Sequence, residues 1–337
     1  MTKLFRESDV QPQGLGNLKL VVVGYGSQGR GQALNLRDSG ADVSIATRAG
    51  GPSWKQAEEE GWMPLDLESA AAGADLVCFL TPDMVQPEVY EKYFAGKLKP
   101  GATVLFSHGF NVHYGFTQFP DDINVVMVAP KGPGFLVRRE FEKGSGVPCL
   151  VAVHQDADGT AFGNALAYAD AIGGTRAGVI ETSFAEETET DLFGEQAVLC
   201  GGVTELVLAG WETLVEAGYG KEIAYFECMH ELKLIVDLLY EGGLAKMHQY
   251  VSDTAKYGDL TRGPRVVTDE TRARLKDILA EIQDGKFARE WRAEYENGMP
   301  QYKRLLANDL DHDIEATGKN LRKHFSWLNP KKQEATS

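Results

Sequence analysis

Two pairs of carboxylates have the types and spacing to do chemistry. Asp191 and Glu195 stand four residues apart in EETETDLFGEQ, and Glu227 and Glu231 repeat the spacing in YFECMHELKLIVDLL. On an α-helix, residues four apart share a face with Cβ atoms about 5–6 Å apart, so each pair can reach a common point. Glu227 and Glu231 also fall on the stripe that carries Ile223, Leu234 and Leu238. Acids on an apolar stripe are costly to bury unless something positive meets them. No Lys or Arg lies on that stripe, and Lys233 points elsewhere. A hard divalent cation answers the problem, because Mg²⁺ prefers carboxylate oxygen. For Asp191 and Glu195 two readings stay open. Glu186, Glu187 and Glu189 make the neighbourhood acidic, as on a solvated helix face. Against that, Thr188-x-x-Asp191 has the form of a cap that would begin the helix near Asp191, and the continuing face carries small or apolar Val198, Gly202 and Ala209.

A second chemistry is written near the start. Gly24-Tyr25-Gly26-Ser27-Gln28-Gly29 is a G-x-G-x-x-G that follows the apolar run KLVVV and opens a helical stretch. Glycines there allow a tight turn and close approach of backbone to a pyrophosphate, and the helix N-terminus adds oriented N–H groups. Dinucleotide sites for NAD usually place an acid after the second strand; this chain has Ala46-Thr47-Arg48 and then Ala49-Gly50-Gly51-Pro52-Ser53. Arg48, with Ser53, suits a 2′-phosphate and points to NADP(H); the alternative for Arg48 is a solvated loop charge. His108 follows the run TVLF and Lys131 follows NVVMV. Both sit where an open α/β sheet gathers its ligands, beyond the carboxyl ends of strands. Either could instead be a structural turn residue.

The elements that must position these groups are of two kinds. In the first half, Lys19–Val23, Asp42–Ala46, Asp75–Leu80, Thr103–Phe106, Asn124–Val128 and Cys149–Val153 read as strands separated by helices. Continuous Val/Leu/Ile runs of this kind predict a mostly parallel sheet covered on both faces. From Ser183 onward helical patterns dominate, over 190–216, 220–241, 244–256 and 269–283 and before His324. We expect an α/β Rossmann domain over 1–182, an all-helical metal, substrate and dimerisation domain over 183–330, and a polar frayed tail over 331–337.

Composition narrows the function. A net charge of −15 in 337 residues argues against nucleic acid as a general partner and is compatible with cation binding. Cys78, Cys149, Cys200 and Cys228 lack metal or disulfide spacing and read as buried thiols of a reducing compartment. The N-terminus lacks an apolar signal segment, and no run approaches the ~18 apolar residues of a membrane helix. The expectation is a cytoplasmic protein.

The motifs GYGSQG (24–29), FSHGFN (106–111), APKGPG (129–134), ETETDLFGEQAVLCGG (187–202), ECMHELK (227–233) and Tyr250-Val251-Ser252-Asp253-Thr254-Ala255, in this order over nearly the whole chain, resemble class I, short-form ketol-acid reductoisomerase (acetohydroxyacid isomeroreductase). The resemblance implies NADPH, two Mg²⁺ ions, and conversion of 2-acetolactate or 2-aceto-2-hydroxybutyrate to 2,3-dihydroxy-3-methyl acids in valine and isoleucine biosynthesis. It further implies that Asp191 bridges the ions, Glu195 holds one, and Glu227 and Glu231 serve the other or its waters. His108 and Lys131 would line the reaction pocket, with Glu231 the candidate for proton handling. Ser252 would bind the substrate carboxylate, and Asp83, Met84, Val85, Gln86 and Gly134 would complete the cofactor site. The helical domain would be knotted and intertwined with a second subunit that supplies Glu227 and Glu231, and some members of the family assemble dimers into dodecamers. One departure is Gly50-Gly51 where many NADPH-using members carry a second serine; measurable NADH use becomes more plausible. Two rivals remain: a metal-independent β-hydroxyacid dehydrogenase, whose activity would survive EDTA, and a nucleotide-sensing protein without turnover, which has no reason to place acids on an apolar stripe.

Overall fold

Leu20 and Val22 bury their side chains on one side of a sheet and Val21 and Val23 on the other, which is why the KLVVV run shows no polar alternation. The computed structural model describes residues 3–11, 14–325 and 328. The expected tail over 331–337 lies outside the described residues. Contacts divide the chain between Thr190 and Asp191 into two units.

The first unit holds strands β1 (Leu4–Phe5), β2 (Lys19–Val23), β3 (Asp42–Ala46), β4 (Leu76–Phe79), β5 (Thr103–Phe106), β6 (Asn124–Pro130), β7 (Cys149–Gln155) and β8 (Val179–Glu181). Between them run α1 (Ser27–Asp38), α2 (Pro52–Glu59), α3 (Gln86–Tyr93), α4 (Phe110–His113), α5 (Gly134–Glu142), α6 (Ala161–Ala171) and α7 (Gly174–Ala177). The sheet order is β1-β8-β7-β6-β5-β4-β2-β3. From β2 the chain goes outward to β3 and then returns past β2 to β4, so a crevice opens between β2 and β4 at their carboxyl ends. The parallel reading holds from β3 through β6. The exceptions in this mostly parallel sheet are β7, which runs antiparallel to β6 over Val126–Pro130, and β1, which closes the edge antiparallel to β8, while β8 itself returns parallel to β7. A fully apolar run carries no signal of direction, and two- or three-residue strands carry too little pattern to find.

Helix α8 (Phe184–Gly194) passes from the first unit into the second. It begins earlier than the Thr188-x-x-Asp191 pattern suggested: the Ser183 hydroxyl accepts from Glu186 N at 3.1 Å, and Thr188 lies fully buried inside the helix. The second unit is otherwise α9 (Gly201–Glu216), α10 (Lys221–Tyr225), α11 (Glu231–Tyr250), α12 (Asp253–Val266), α13 (Asp269–Gln283), α14 (Lys286–Glu296), α15 (Pro300–Asp311) and α16 (Asp313–Arg322). A break expected between 241 and 244 is present inside α11, where Gly242 and Gly243 leave helical geometry and Gly243 has φ 66°. Two π-turns interrupt the helices, at Glu195–Leu199 and at Phe226–His230.

The core of this unit is small, built on Val207, Trp211, Ala224, Tyr225 and Ile314. Large apolar residues remain open to solvent, among them Leu199, Leu206, Ile223, Leu234, Leu244 and Leu260. Within Phe184–Glu216 one 18-residue window reaches a mean hydropathy of 1.4, enough by length and composition alone to cross a membrane. Cys78 and Cys149 are buried as expected, and burial pushes both thiols up to about 12. Cys200 is exposed and Cys228 half-buried, so those two are not core thiols of a single chain.

Candidate active site

The glycine turn is shaped by what surrounds it. Gly24 has φ 99°, and a side chain there would meet the Leu80 backbone at 3.0 Å. At Gly29 a Cβ would stand 2.3 Å from the Gly24 carbonyl oxygen. Gly26, the N-cap of α1, differs: a Cβ would project into open space, and no side chain caps the helix. The first N–H groups of α1 are therefore left for a ligand, with room in front of them for a pyrophosphate oxygen. This cradle fits a dinucleotide.

Of the other helix N-termini without side-chain caps at the carboxyl edge of the sheet, two bear on the glycine turn and Arg48. One is α5, whose Gly134 abuts α1 so closely that a Cβ would lie 2.2 Å from Ser27 O; a Cβ on Gly31 would lie 2.4 Å from Gly134 O. The other is α2, capped by Gly51 after a turn in which Gly51 N donates to Arg48 O at 3.0 Å. Arg48 is exposed and Ser53 half-buried at that terminus.

Several expected cofactor residues are engaged within the protein. Tyr25 is 1% exposed, with its hydroxyl turned inward. Gln28 Nε2 donates to Gly132 O at 2.9 Å, and Gln32 Nε2 donates to Gln28 Oε1 at 2.9 Å and Ser107 Oγ at 3.0 Å. Tyr168 completes this buried chain by donating to Gln32 Oε1 at 2.9 Å. It links the helix behind the glycine turn to the segments bearing His108 and Lys131. After β4, Asp83, Met84 and Val85 form a 3-10 turn, and the buried Gln86 donates to Thr81 O at 2.8 Å. Asn111 Nδ2 ties this loop to the His108 loop through Asp83 O at 2.8 Å and Gln86 Oε1 at 3.0 Å. These amides shape loops from the inside.

His108 is half-buried at the end of β5, and the next residue explains its seat. A Cβ on Gly109 would lie 2.2 Å from Thr188 Oγ1, so only glycine lets α8 press against this turn. One residue before Thr188, Glu187 is 1% exposed, and its Oε1 accepts from Lys131 Nζ at 2.7 Å. Its Oε2 is buried without a hydrogen-bond partner. A carboxylate this deep is held in place by its cation, which fixes the Lys131 ammonium beyond the end of β6. Sequence reasoning passed over Glu187 as one acid among several; its signal was the four-residue spacing to Asp191.

In the second unit Asp191 is half-buried one turn beyond Glu187 along α8, and the exposed Glu195 opens the first π-turn. Glu227 lies in the second π-turn and Glu231 begins α11. Both are exposed in the single chain, beside Ile223 and Leu234, which are 60% and 50% exposed. The apolar stripe exists, but among the described residues of its own chain nothing covers Ile223 or Leu234. Among the described residues, no three of the four acids lie within 4.8 Å of one another. The donor set is all carboxylate oxygen, as a hard cation requires. Ser252 is exposed and N-caps α12, accepting from Ala255 N at 3.1 Å, with its hydroxyl proton left to donate.

A doubly wound sheet with an uncapped glycine turn at its switch point, and a fixed lysine beside it, defines a dinucleotide-dependent oxidoreductase. Residues 14–178 match the family model of the acetohydroxy acid isomeroreductase NADPH-binding domain, and residues 184–327 that of the ketol-acid reductoisomerase C-terminal domain. A ketol-acid reductoisomerase (NADP(+)) of Xylella fastidiosa is 57% identical over 320 residues, covering 95% of this chain and 91% of the relative. One of Xanthomonas euvesicatoria is 54% identical over 330 residues, covering 98% and 97%. The solved structure of an NADH-preferring ketol-acid reductoisomerase from an uncultured archean superposes with a TM-score of 0.94 at 43% identity, covering 96% of this chain and 99% of that one. The chain belongs to the ketol-acid reductoisomerase family, and the two rival readings fall.

Proposed function

We propose that the chain converts 2-acetolactate and 2-aceto-2-hydroxybutyrate to the corresponding 2,3-dihydroxy-3-methyl acids, by alkyl migration and then reduction, in valine and isoleucine biosynthesis in the cytoplasm. The observation that carries this is Glu227 and Glu231 standing exposed on an apolar stripe that no described residue of their own chain covers, with Asp191 and Glu195 beside the π-turn of another helix. A second copy of the chain covers that stripe, so each active site takes Asp191 and Glu195 from one subunit and Glu227 and Glu231 from the other. The exposed leucines and the small core of the second unit support a homodimer in which the helical domains, each knotted, intertwine. Residues 1–182 serve the nucleotide and 183–330 the metal, the substrate and dimerisation.

When bound, two Mg²⁺ ions supply Lewis acidity toward the substrate's vicinal oxygens, and NADPH supplies the hydride. The residues do the rest. The uncapped N-terminus of α1 takes the pyrophosphate, and Arg48 with Ser53 takes the 2′-phosphate. Lys131, held by Glu187, and His108 line the pocket against water and orient the ketone. Ser252 donates to the substrate carboxylate, and Glu231 accepts and returns a proton. With Gly50-Gly51 in the phosphate loop and an NADH-preferring relative at 43% identity, NADH also supports turnover, more weakly. Steady-state turnover of 2-acetolactate with NADPH and NADH, with Mg²⁺ and with EDTA, tests the proposal. Turnover that needs Mg²⁺ and favours NADPH is expected; turnover that survives EDTA contradicts it.

A further inference from the structure

The strongest polar cluster outside the site lies behind the glycine turn, at the far end of α2. The Glu60 carboxylate, immediately after α2, accepts from Tyr25 Oη at 2.6 Å through Oε2 and from Arg30 Nε at 2.7 Å through Oε1. Its carbonyl oxygen accepts from Arg37 Nη1 at 3.2 Å. Trp62 Nε1 donates to the same Tyr25 oxygen at 2.9 Å, and the Arg37 guanidinium lies 4.6 Å over the Trp62 ring. Burial alone would raise the Glu60 carboxyl, but the hydrogen bonds from Tyr25 and Arg30 outweigh it and hold it below its ordinary range. One carboxylate thus joins α2 to the second residue of the glycine turn and to α1.

Helix α2 has little else to hold it. Ala57 is its one buried residue and Ser53 and Trp54 are half-buried, while Pro52, Lys55, Gln56, Glu58 and Glu59 are exposed, so the packed face of α2 is narrow. Its N-terminus carries Gly51 and Ser53 and follows Arg48. Eight residues of helix span about 12 Å, so a tilt of about 10° at the Glu60 end moves the other end by about 2 Å. The spacing between the two anion sites, at the N-termini of α1 and α2, is therefore set from behind.

We infer that Glu60 is a positioning residue for NADPH, clamping α2 to Tyr25 and Arg30 so that the 2′-phosphate site stands at the right distance from the pyrophosphate site. The inference rests on the 2′-phosphate reading of Arg48 and Ser53. Glu60 touches neither phosphate and acts through the placement of α2.

The test measures KM for NADPH and NADH, kcat, and thermal midpoints for Glu60→Ala, Glu60→Gln and Tyr25→Phe/Glu60→Ala. Glu60→Ala is expected to raise the NADPH KM about ten- to a hundredfold, with the NADH KM rising far less and kcat near that of the parent. Glu60→Gln keeps an acceptor for Tyr25 and recovers most of the loss; if the alanine variant does not fold, Arg30→Met, which cuts the same clamp from the α1 side and is expected to raise the NADPH KM selectively in the same way, takes its place. The double variant should be no worse than Glu60→Ala in NADPH KM, because both changes cut the same link. Lower midpoints with an unchanged NADPH KM, or equal rises for both cofactors, overturn the inference and leave Glu60 a brace for stability. Arg48→Ala in the parent background separates the two claims. If it too affects both cofactors equally, the phosphate reading has failed and this inference with it; if it is selective for NADPH while the Glu60 variants are not, only the role of Glu60 has failed.

Discussion

Replacing Gly202 by alanine is the sharpest test of how the second unit aims Glu195. In the π-turn Glu195–Leu199 the Cys200 N–H reaches back five residues to the Glu195 carbonyl at 3.0 Å. The widened turn presses its carbonyls against the next residues: a Cβ on Gly202 would stand 2.1 Å from Ala197 O and 2.9 Å from Ala197 C, and one on Gly201 would stand 2.2 Å from Gln196 O. A methyl group at 202 needs roughly 1 Å more room, an overpacking strain that costs about 1–3 kcal/mol if the π-turn is kept. That is about 2–12 °C in thermal midpoint for a unit of this size. The alternative is that the turn tightens to an α-helix, which rotates everything before it by about 100° relative to α9 and swings Glu195 off its line. Either route should weaken Mg²⁺ by about ten- to a hundredfold, as disturbing the support of a metal ligand does. The assay is Mg²⁺ activation of acetolactate turnover, read beside a circular-dichroism melt. Gly258→Ala, inside α12, is the control, since a Cβ there meets nothing within 4 Å. A Gly202→Ala protein that melts and binds Mg²⁺ like its parent would refute the argument that the bulge, and the glycine it requires, places Glu195.

Other outcomes follow from the same geometry. Lys131→Met strands the buried Glu187 carboxylate and should cost toward the lower end of about 3–5 kcal/mol, because the lysine side chain is 34% exposed; adding Glu187→Gln should restore most of the melting temperature without restoring turnover. Arg48→Ala should raise the NADPH KM far more than the NADH KM, and equal rises would refute the 2′-phosphate role. Burial would raise the Asp75 carboxyl, but the Lys19 N–H at 2.8 Å and the Lys99 ammonium outweigh it and hold it low. A depressed carboxyl contributes stability that is complete above its unfolded pKa of about 4 and lost as pH falls through the lower folded value. Melting scans from pH 7 to pH 3 should therefore show a shallower acid limb for Asp75→Asn, and an unchanged limb would contradict the assignment. Asp191→Asn should abolish both rearrangement and reduction; retained rearrangement, followed by product analysis, would contradict a shared metal site.

The strands were legible where both faces are buried, because a run such as Val21 to Val23 has no other place to go. Direction was not: nothing in CLVAV marks β7 as antiparallel to β6. The glycine turn was legible because three glycines at fixed spacing answer three different constraints, a positive φ at Gly24, open space at Gly26 and backbone contact at Gly29. The spacing of the acidic pairs was read on a regular α-helix, yet the π-turns at Glu195–Leu199 and Phe226–His230 were hidden, since helical periodicity assumes one rise and one turn throughout. The start of α8 was misplaced because Thr188 mimics a cap while Ser183 does the capping. Glu187 was lost among its neighbours because burial, which singles it out, depends on Lys131, more than fifty residues earlier in sequence. The helices over 286–296 and 300–311 escaped notice because they bury little in a single chain, with Ala288 their one buried residue.

The central claim is that one active site is assembled from two chains, and mixing subunits tests it most directly. A protein carrying Asp191→Asn with Glu195→Gln and one carrying Glu227→Gln with Glu231→Gln should each be inactive alone. Unfolded together and refolded, half of the dimers are hybrids with one intact site each, so about a quarter of parental acetolactate turnover should return. Recovery to that level is the expected result. No recovery, in mixtures shown by mass spectrometry to contain the hybrid, would place all four acids of a site in one polypeptide and contradict the account.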